Sequence, residues 1–254
     1  KKAKMFFSKM HPNVPIVITN FQTAEMIKYA NNSFLATKIS FINQLSNICQ
    51  NIPGTNIDDI SKTIGLDPRI GKLFLNAGPG YGGACLPKDM SALINFADKI
   101  GVKPMLLNAV EKTNHEQINN IVSLMKKILG NITSKRITIL GTAFKPNTDD
   151  VRDSKSIELI KKLLKNKAKI TIHDPKAIES TKKIFGAKIL YAKSIADALN
   201  KSQCGVIMTH WKQYDTLNNN SIKHMNKKII IDCRRVLAKK ELGAEYYAIG
   251  IGKS

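Results

Sequence analysis

Apolar residues recur at helical spacing from about Thr23 onward. Ile27, Ala30, Phe34, Ile39, Ile42, Leu45 and Ile48 return every few positions until Pro53-Gly54 breaks the run. The pattern predicts one long, mostly buried helix with Thr23 as its N-cap and Glu25 in its first turn. A short helix follows over residues 56–64, where Asp58 and Asp59 suit the positive end of the dipole and Gly65 ends the turn. Residues 76–84 read Asn-Ala-Gly-Pro-Gly-Tyr-Gly-Gly-Ala, a composition that opposes regular structure. Helical periodicity resumes after Cys85, over residues 89–100, and again over residues 104–129. Residues 1–20 read as an extended tail, because Pro12 and Pro15 oppose helix and Ile16-Val17-Ile18-Thr19 suits a short strand or a linker.

The period changes after Gly130. Short β-rich runs at residues 136–140, 169–173, 187–191, 205–210 and 228–232 are separated by helix-like segments such as 157–164. That alternation predicts a parallel sheet with helices on both faces. The fold class is therefore α/β: an all-helical unit over residues 21–130, then a Rossmann-like, doubly wound parallel unit over residues 131–254. Ligands of such sheets bind at the carboxyl ends of the strands. The loops after Leu140, His173, His210 and Asp232 are the places to look.

Composition narrows the partners. No apolar run reaches the eighteen or so residues of a membrane span, and residues 1–20 lack a secretory apolar core, so a cytoplasmic protein is expected. Cys49, Cys85, Cys204 and Cys233 are widely scattered, with no CxxC pair, so neither disulfides nor a structural metal is expected. The net charge of +21 would suit nucleic acid. Only five of the 40 basic residues are arginine, however, and 22 asparagines accompany the lysines. Solvated lysine faces fit that bias better than a nucleic-acid surface, and the same field would attract small anionic ligands.

Cys85 precedes a helix and lies three residues before Lys88, two features that favour a thiolate. The glycines at 78, 80, 82 and 83 permit positive φ and close backbone approach, so their N–H groups could hold an oxyanion or a diphosphate. A buried structural cysteine beside an ordinary glycine loop is the competing reading. Lys28 and Asn32 share a helix face, as a polar strip towards a cleft or as plain solvent-facing residues. Asp89 suits a general base or an N-terminal helix position. In the second unit, the loop from Gly141 to Ser154 places Phe144, Lys145 and Arg152 at a strand's carboxyl end. Arg234-Arg235 follows the last expected strand, and the five histidines form no constellation.

Gly80-Tyr81-Gly82-Gly83-Ala84-Cys85-Leu86-Pro87-Lys88-Asp89 resembles the active-site signature of the UDP-glucose/GDP-mannose dehydrogenase family. Ala24-Glu25-Met26-Ile27-Lys28-Tyr29-Ala30-Asn31-Asn32 resembles its central-helix motif, and Leu66-Asp67-Pro68-Arg69-Ile70-Gly71 its arginine loop. Phe144-Lys145 with Asp150-Val151-Arg152-Asp153-Ser154 resembles its sugar-nucleotide motif, and the order and spacing agree over essentially the whole chain. The resemblance implies a four-electron oxidation of UDP-glucose to UDP-glucuronate with NAD, through a cysteine thiohemiacetal and thioester. It implies Cys85 as nucleophile, Lys28 and Asn32 as holders of the oxyanion or water, and Asp89 as an aid to proton transfer. Phe74, Gly78, Tyr81, Gly82 and Gly83 would bind substrate with Phe144, Lys145 and one of Arg234 or Arg235. Arg69 would reach a neighbouring subunit's site across a homodimer built on the central helices, and Lys88 and Arg152 would touch the cofactor.

Ala84 and Leu86 also suit the GDP-mannose branch, whereas Lys38-Ile39-Ser40-Phe41-Ile42-Asn43 and Tyr81 resemble the UDP-glucose branch. No GxGxxG occurs in the chain. By the resemblance, residues 1–20 would link to an amino-terminal NAD-binding domain with no counterpart here, and this chain alone would bind a nucleotide sugar and dimerise without turnover. A non-catalytic nucleotide-sugar-binding or dimerisation module is the alternative.

Overall fold

The computed structural model describes residues 2–237 and 242–252. Lys1 and residues 253–254, the outer bounds of the expected units, lie outside the described residues. Five helices come first: α1 (Lys2–Met10), α2 (Phe21–Cys49), α3 (Ile57–Ile64), α4 (Leu86–Lys99) and α5 (Met105–Leu129). The extended tail is corrected by α1, whose lysine, alanine and methionine residues favour helix until Pro12 is reached, although none of its side chains is buried. The N-cap of α2 is Asn20 rather than Thr23: the Asn20 side chain accepts the Thr23 N–H at 2.8 Å.

Nor is α2 mostly buried. Its covered face lies in the C-terminal half, where Ala36, Ile42 and Cys49 are joined by Ser33, Ser40, Asn43 and Ser46. Periodicity reveals an apolar stripe but not what covers it. Ala36 packs with Tyr81, Met90, Ile94 and Val110, which ties α2 to α4 and α5.

The second unit runs β1 (Arg136–Leu140), α6 (Lys155–Lys165), β2 (Lys169–His173), α7 (Ile178–Phe185), β3 (Leu190–Tyr191), α8 (Ile195–Leu199), β4 (Cys204–Ile207), α9 (Asn219–Ile222), β5 (Ile229–Asp232) and β6 (Glu245–Ala248). All pairings are parallel and the order is β3-β2-β1-β4-β5-β6, the doubly wound arrangement in which ligands sit where the order reverses, between β1 and β4. Ile137, Ile139, Ile229 and Ile231 face one core, while Leu140, Ile207 and Ile230 face the other. Burial on both faces explains why these strands read as continuous apolar runs.

Two strand expectations are corrected. The run at 187–191 contains a 3-10 turn, Gly186–Lys188, before its two-residue strand. A sixth strand, Glu245–Ala248, continues the sheet beyond β5, so Arg234 and Arg235 do not follow the last one. Glu-Tyr-Tyr-Ala is short, polar at its start and only partly covered at the sheet edge, which hides it from an apolar-run criterion.

The two units are joined closely. Helix α5 spans both: Val110 packs in the helical unit, while Ile118, Ile121, Val122 and Met125 enter the core under the sheet. The segment after β6 is bonded to the end of α2 and the start of α3. Ile57 N–H donates to Gly250 O at 2.9 Å, Gly252 N–H to Thr55 O at 3.0 Å, and Gln50 bonds both Ile251 O and Gly250 N–H. Gly252 is required there, because an added Cβ would lie 1.8 Å from Ile52 O. These bonds tie the segment after β6 to the helical unit on one side of the cleft between the units.

Candidate functional site

That cleft has a volume of about 870 Å³ and opens at the carboxyl ends of β1, β4 and β5. Of the residues singled out from sequence, Phe74, Tyr81, Gly82, Phe144, Lys145, Arg234 and Arg235 line it. Lys62, Lys72 and His210 line it too, and His210, one of the five histidines without a constellation in the sequence, contacts Asp215 at 3.0 Å. A cavity of this size, with several cations and an exposed phenylalanine, suits a phosphorylated ligand with a planar base.

A buried carboxylate shapes the loop after β1. Asp174, at the end of β2, accepts five N–H groups: Thr142, Ala143 and the Trp211 indole on one oxygen, Lys176 and Ala177 on the other. Thr142 and Ala143 immediately precede Phe144, so this carboxylate fixes where Phe144 and Lys145 enter the cleft. In a dinucleotide-binding Rossmann unit an acid near the end of the second strand binds the adenosine ribose. Here that acid is turned inward and fully engaged, which argues against dinucleotide binding by this unit.

The arginine pair divides its labour. Arg235 is buried, and its guanidinium reaches Asp58 Oδ1 at 2.7 Å and Ala77 O at 2.9 Å, both in the helical unit. It clamps the two units. Arg234 donates through Nε to Met208 O at 2.9 Å and has no carboxylate partner among the described residues. Loss of hydration lowers its pKa to about 10, so it stays charged at neutral pH and is the better placed of the two for an anionic ligand.

Three of the four residues expected to work together, Lys28, Asn32 and Asp89, are brought together between α2 and α4, and Cys85 lies one turn before Asp89. Cys85 is the N-cap residue of α4 and is exposed, whereas Cys49, Cys204 and Cys233 are buried. One turn on, Asp89 is fully buried and accepts hydrogen bonds from Lys28, Asn32 and Lys88, the last at 2.9 Å. Burial pushes this carboxyl up, but the bonds from Lys28, Lys88 and Asn32 outweigh it and hold the pKa at about 2. Asp89 is thus an anion near neutral pH and an anchor for two ammonium groups. The carboxylate also raises the pKa of Lys88. Lys88 and Arg152 both lie within electrostatic range of the Cys85 sulfur.

Two N–H groups of the glycine loop are engaged within the protein. Gly78 N–H donates to Asn43 Oδ1 at 2.7 Å and Gly83 N–H to Arg152 O at 3.1 Å, so neither is free for a diphosphate. These glycines allow close approach instead. A Cβ at Gly82 would meet Asp153 O at 2.1 Å, and one at Gly83, where φ is +82°, would meet the Phe144 ring at 2.5 Å. The loop is pressed against the second unit just before Cys85. Sequence reasoning missed the side chains that hold it, Asn43, Asn114 and Gln117, because the asparagine-rich composition conceals them.

Two exposed arginines stand outside the cleft lining. Arg69 is paired with Asp67 and Arg152 with Asp150, each through a two-residue turn and a 2.6 Å contact from the guanidinium. No cluster of three potential metal ligands occurs among the described residues, and no helix there is long and apolar enough to cross a membrane.

Fold and site together define a two-unit α/β protein with a cationic, nucleotide-sized cleft at the sheet's reversal point and an exposed thiol directly after its glycine loop. The chain belongs to the UDP-glucose/GDP-mannose dehydrogenase family: residues 22–116 match its central domain and residues 138–239 its UDP binding domain. It is 42% identical over 253 residues to a UDP-glucose 6-dehydrogenase of Rickettsia felis, covering 97% of this chain and 56% of that protein. It is 37% identical over 255 residues to UDP-glucose 6-dehydrogenase TuaD of Bacillus subtilis, covering 98% and 55%. A solved UDP-glucose dehydrogenase from Pyrobaculum islandicum superimposes with a TM-score of 0.88 at 32% identity, covering 98% of this chain and 56% of that one. The chain spans about half the length of the curated relatives it matches.

Proposed function

We propose that this chain is the nucleotide-sugar-binding and thiol-bearing part of an enzyme that oxidises UDP-glucose to UDP-glucuronate. The observation that carries the reading is the placement of an exposed Cys85, flanked by the Lys28–Asn32–Asp89–Lys88 cluster, directly after the loop that lines a cationic cleft. Arg234 and Lys145 would neutralise the diphosphate, with Phe144 and Phe74 beside the base and sugar. The sequence holds no GxGxxG, and Lys88 and Arg152 would add charge beside the cofactor. NAD, when bound, would supply the hydride acceptor.

In the proposed sequence C6 of the sugar first loses a hydride and its hydroxyl proton to become an aldehyde. The Cys85 thiolate adds to that carbon, and the carbonyl oxygen takes up a proton to give a thiohemiacetal. Loss of a second hydride together with the hydroxyl proton gives a thioester, and water then adds to that carbon, the C–S bond breaks to return the Cys85 thiolate, and the carboxylate leaves with water's protons released. Lys28 and Asn32 are suited to stabilise oxygen charge at C6, held in place by the Asp89 anion. We place the reaction in the cytoplasm, where the exposed thiol would stay reduced.

We further propose a homodimer through α2. Ile27, Phe34, Phe41 and Ile48 recur every seven residues and are 52%, 65%, 54% and 51% exposed, the seam of a helix that packs against another helix. In such a dimer Arg69, held out from this chain's own cleft by Asp67, would serve the neighbouring site.

The test is calorimetric titration with UDP-glucose, UDP-glucuronate and GDP-mannose at low and moderate salt. UDP sugars should bind at both salts, and more tightly than GDP-mannose by about tenfold, or roughly 1.4 kcal/mol. Equal binding of GDP-mannose would overturn the substrate assignment, and no binding of any would overturn the site.

A further inference from the structure

We infer that Asn43, Asn114 and Gln117 are positioning residues that set the glycine loop, and through it both the cleft arginine and the reactive thiol. The inference rests on the function proposed above. These side chains come from the two long helices, α2 and α5, and are 1%, 4% and 0% exposed. Each of them bonds the backbone of the loop. Gly78 is held on both sides, its N–H by Asn43 Oδ1 at 2.7 Å and its carbonyl by Gln117 Nε2 at 2.9 Å. Tyr81 is held on both sides by one residue: Asn114 Oδ1 accepts its N–H at 2.8 Å, and Asn114 Nδ2 donates to its carbonyl at 3.2 Å.

A loop buried without a strand partner leaves its peptide groups unpaired, a cost these amides remove by imitating a paired strand. Asn43 does so at its own expense, since its Nδ2 is buried with no hydrogen-bond partner among the described residues. Asn47 steadies the arrangement by donating to Gln117 Oε1 at 3.0 Å. Gly80 shows how close the approach is: its φ is +109°, and a Cβ there would lie 2.5 Å from Asn114 Oδ1.

What the amides hold is the part of the loop that matters for the ligand. A Cβ at Gly78 would lie 2.9 Å from Arg234 Nη1, so the backbone there lies against the cleft guanidinium. Tyr81 and Gly82 line the cleft, and Cys85 follows three residues later at the head of α4. Shifting Gly78 and Tyr81 would move the wall against Arg234 and the entry to Cys85 together. Rigid support of this kind is what precise binding geometry requires.

The experiment compares the wild-type chain with Asn114→Leu and Gln117→Met, which keep approximate size but lose the bonds. Ile118→Val, on α5 beside Gln117 and fully buried, serves as a purely structural control. Three quantities are measured at a temperature where circular dichroism shows each variant folded: UDP-glucose affinity, the iodoacetamide alkylation rate of Cys85, and the thermal midpoint. Asn114→Leu and Gln117→Met should each weaken UDP-glucose binding by about tenfold and change the alkylation rate by about threefold or more. Ile118→Val should lower the midpoint while leaving affinity and alkylation unchanged. Wild-type affinity and alkylation in both amide variants would overturn the inference, as would changes no larger than those of Ile118→Val. Should the wild-type chain bind no UDP sugar, the proposed function fails, and the alkylation rates alone then decide whether the amides place the loop.

Discussion

Asp89 shows how a single side chain can be read two ways until its neighbours are known. From sequence it is a helix-start carboxylate or a general base. In the structure three donors converge on it and hold its pKa at about 2, below the usual 3.8. Because the folded-state value is depressed, the stabilisation it gives is complete above about pH 4 and is lost as pH falls towards 2. Asp89→Asn should therefore lower the thermal midpoint at pH 7 and flatten the wild-type decline between pH 4 and pH 2. An identical acid limb in the variant would show that Lys28, Asn32 and Lys88 do not hold the carboxylate in solution. Cys85 permits a second test at this scale, because it alone of the four cysteines is exposed. Iodoacetamide should label one thiol per folded chain, Cys85→Ser should abolish the labelling, and saturating UDP-glucose should slow it. Helical spacing made Lys28 and Asn32 legible as one face, and a following helix made Cys85 legible as an N-terminal residue. Asn43, Asn114 and Gln117 were not, since a buried amide at helical spacing looks like any other of the 22 asparagines or a surface glutamine until its backbone partner is seen.

Legibility followed burial at the scale of elements. Strands β1 and β2 coincide with their expected runs because both faces are covered and the residues are β-branched. Strand β6 and helix α1 escaped notice because neither is an apolar run: one is a partly covered edge and the other is exposed throughout. Asp174 likewise leaves no periodic mark, yet it organises more backbone than any apolar residue beside it. Its removal in Asp174→Ala would strand the buried N–H groups of Thr142 and Ala143 and the Trp211 indole. A loss of about 3–5 kcal/mol is expected in urea unfolding. Asp174→Asn, which can still accept on one oxygen, should lose less. If the two variants were equally stable, the five-donor network would not be what fixes the loop after β1.

At the scale of the whole molecule, the two units share α5, the Arg235 clamp and the stitched segment after β6, so the cleft between them is set by internal contacts. Among the exposed apolar residues, those on α2 form a stripe at regular spacing. Four large apolar side chains at seven-residue spacing, each already about half covered, would contribute about 0.8–2 kcal/mol apiece on full burial, and both copies contribute, a gain that favours association against the entropic cost of pairing. Phe41 lies near the middle of that stripe, whereas Phe96, 51% exposed on α4, lies off it. Phe41→Glu should shift the chain from dimer to monomer in sedimentation velocity, with Phe96→Glu leaving the dimer intact. Charge repulsion between highly basic copies opposes association, so the proposed dimer should tighten as salt is raised from low to moderate. A dimer that survives Phe41→Glu but dissociates with Phe96→Glu would move the interface from α2 to α4, and Arg69 would then need another explanation for its exposed, aspartate-braced position.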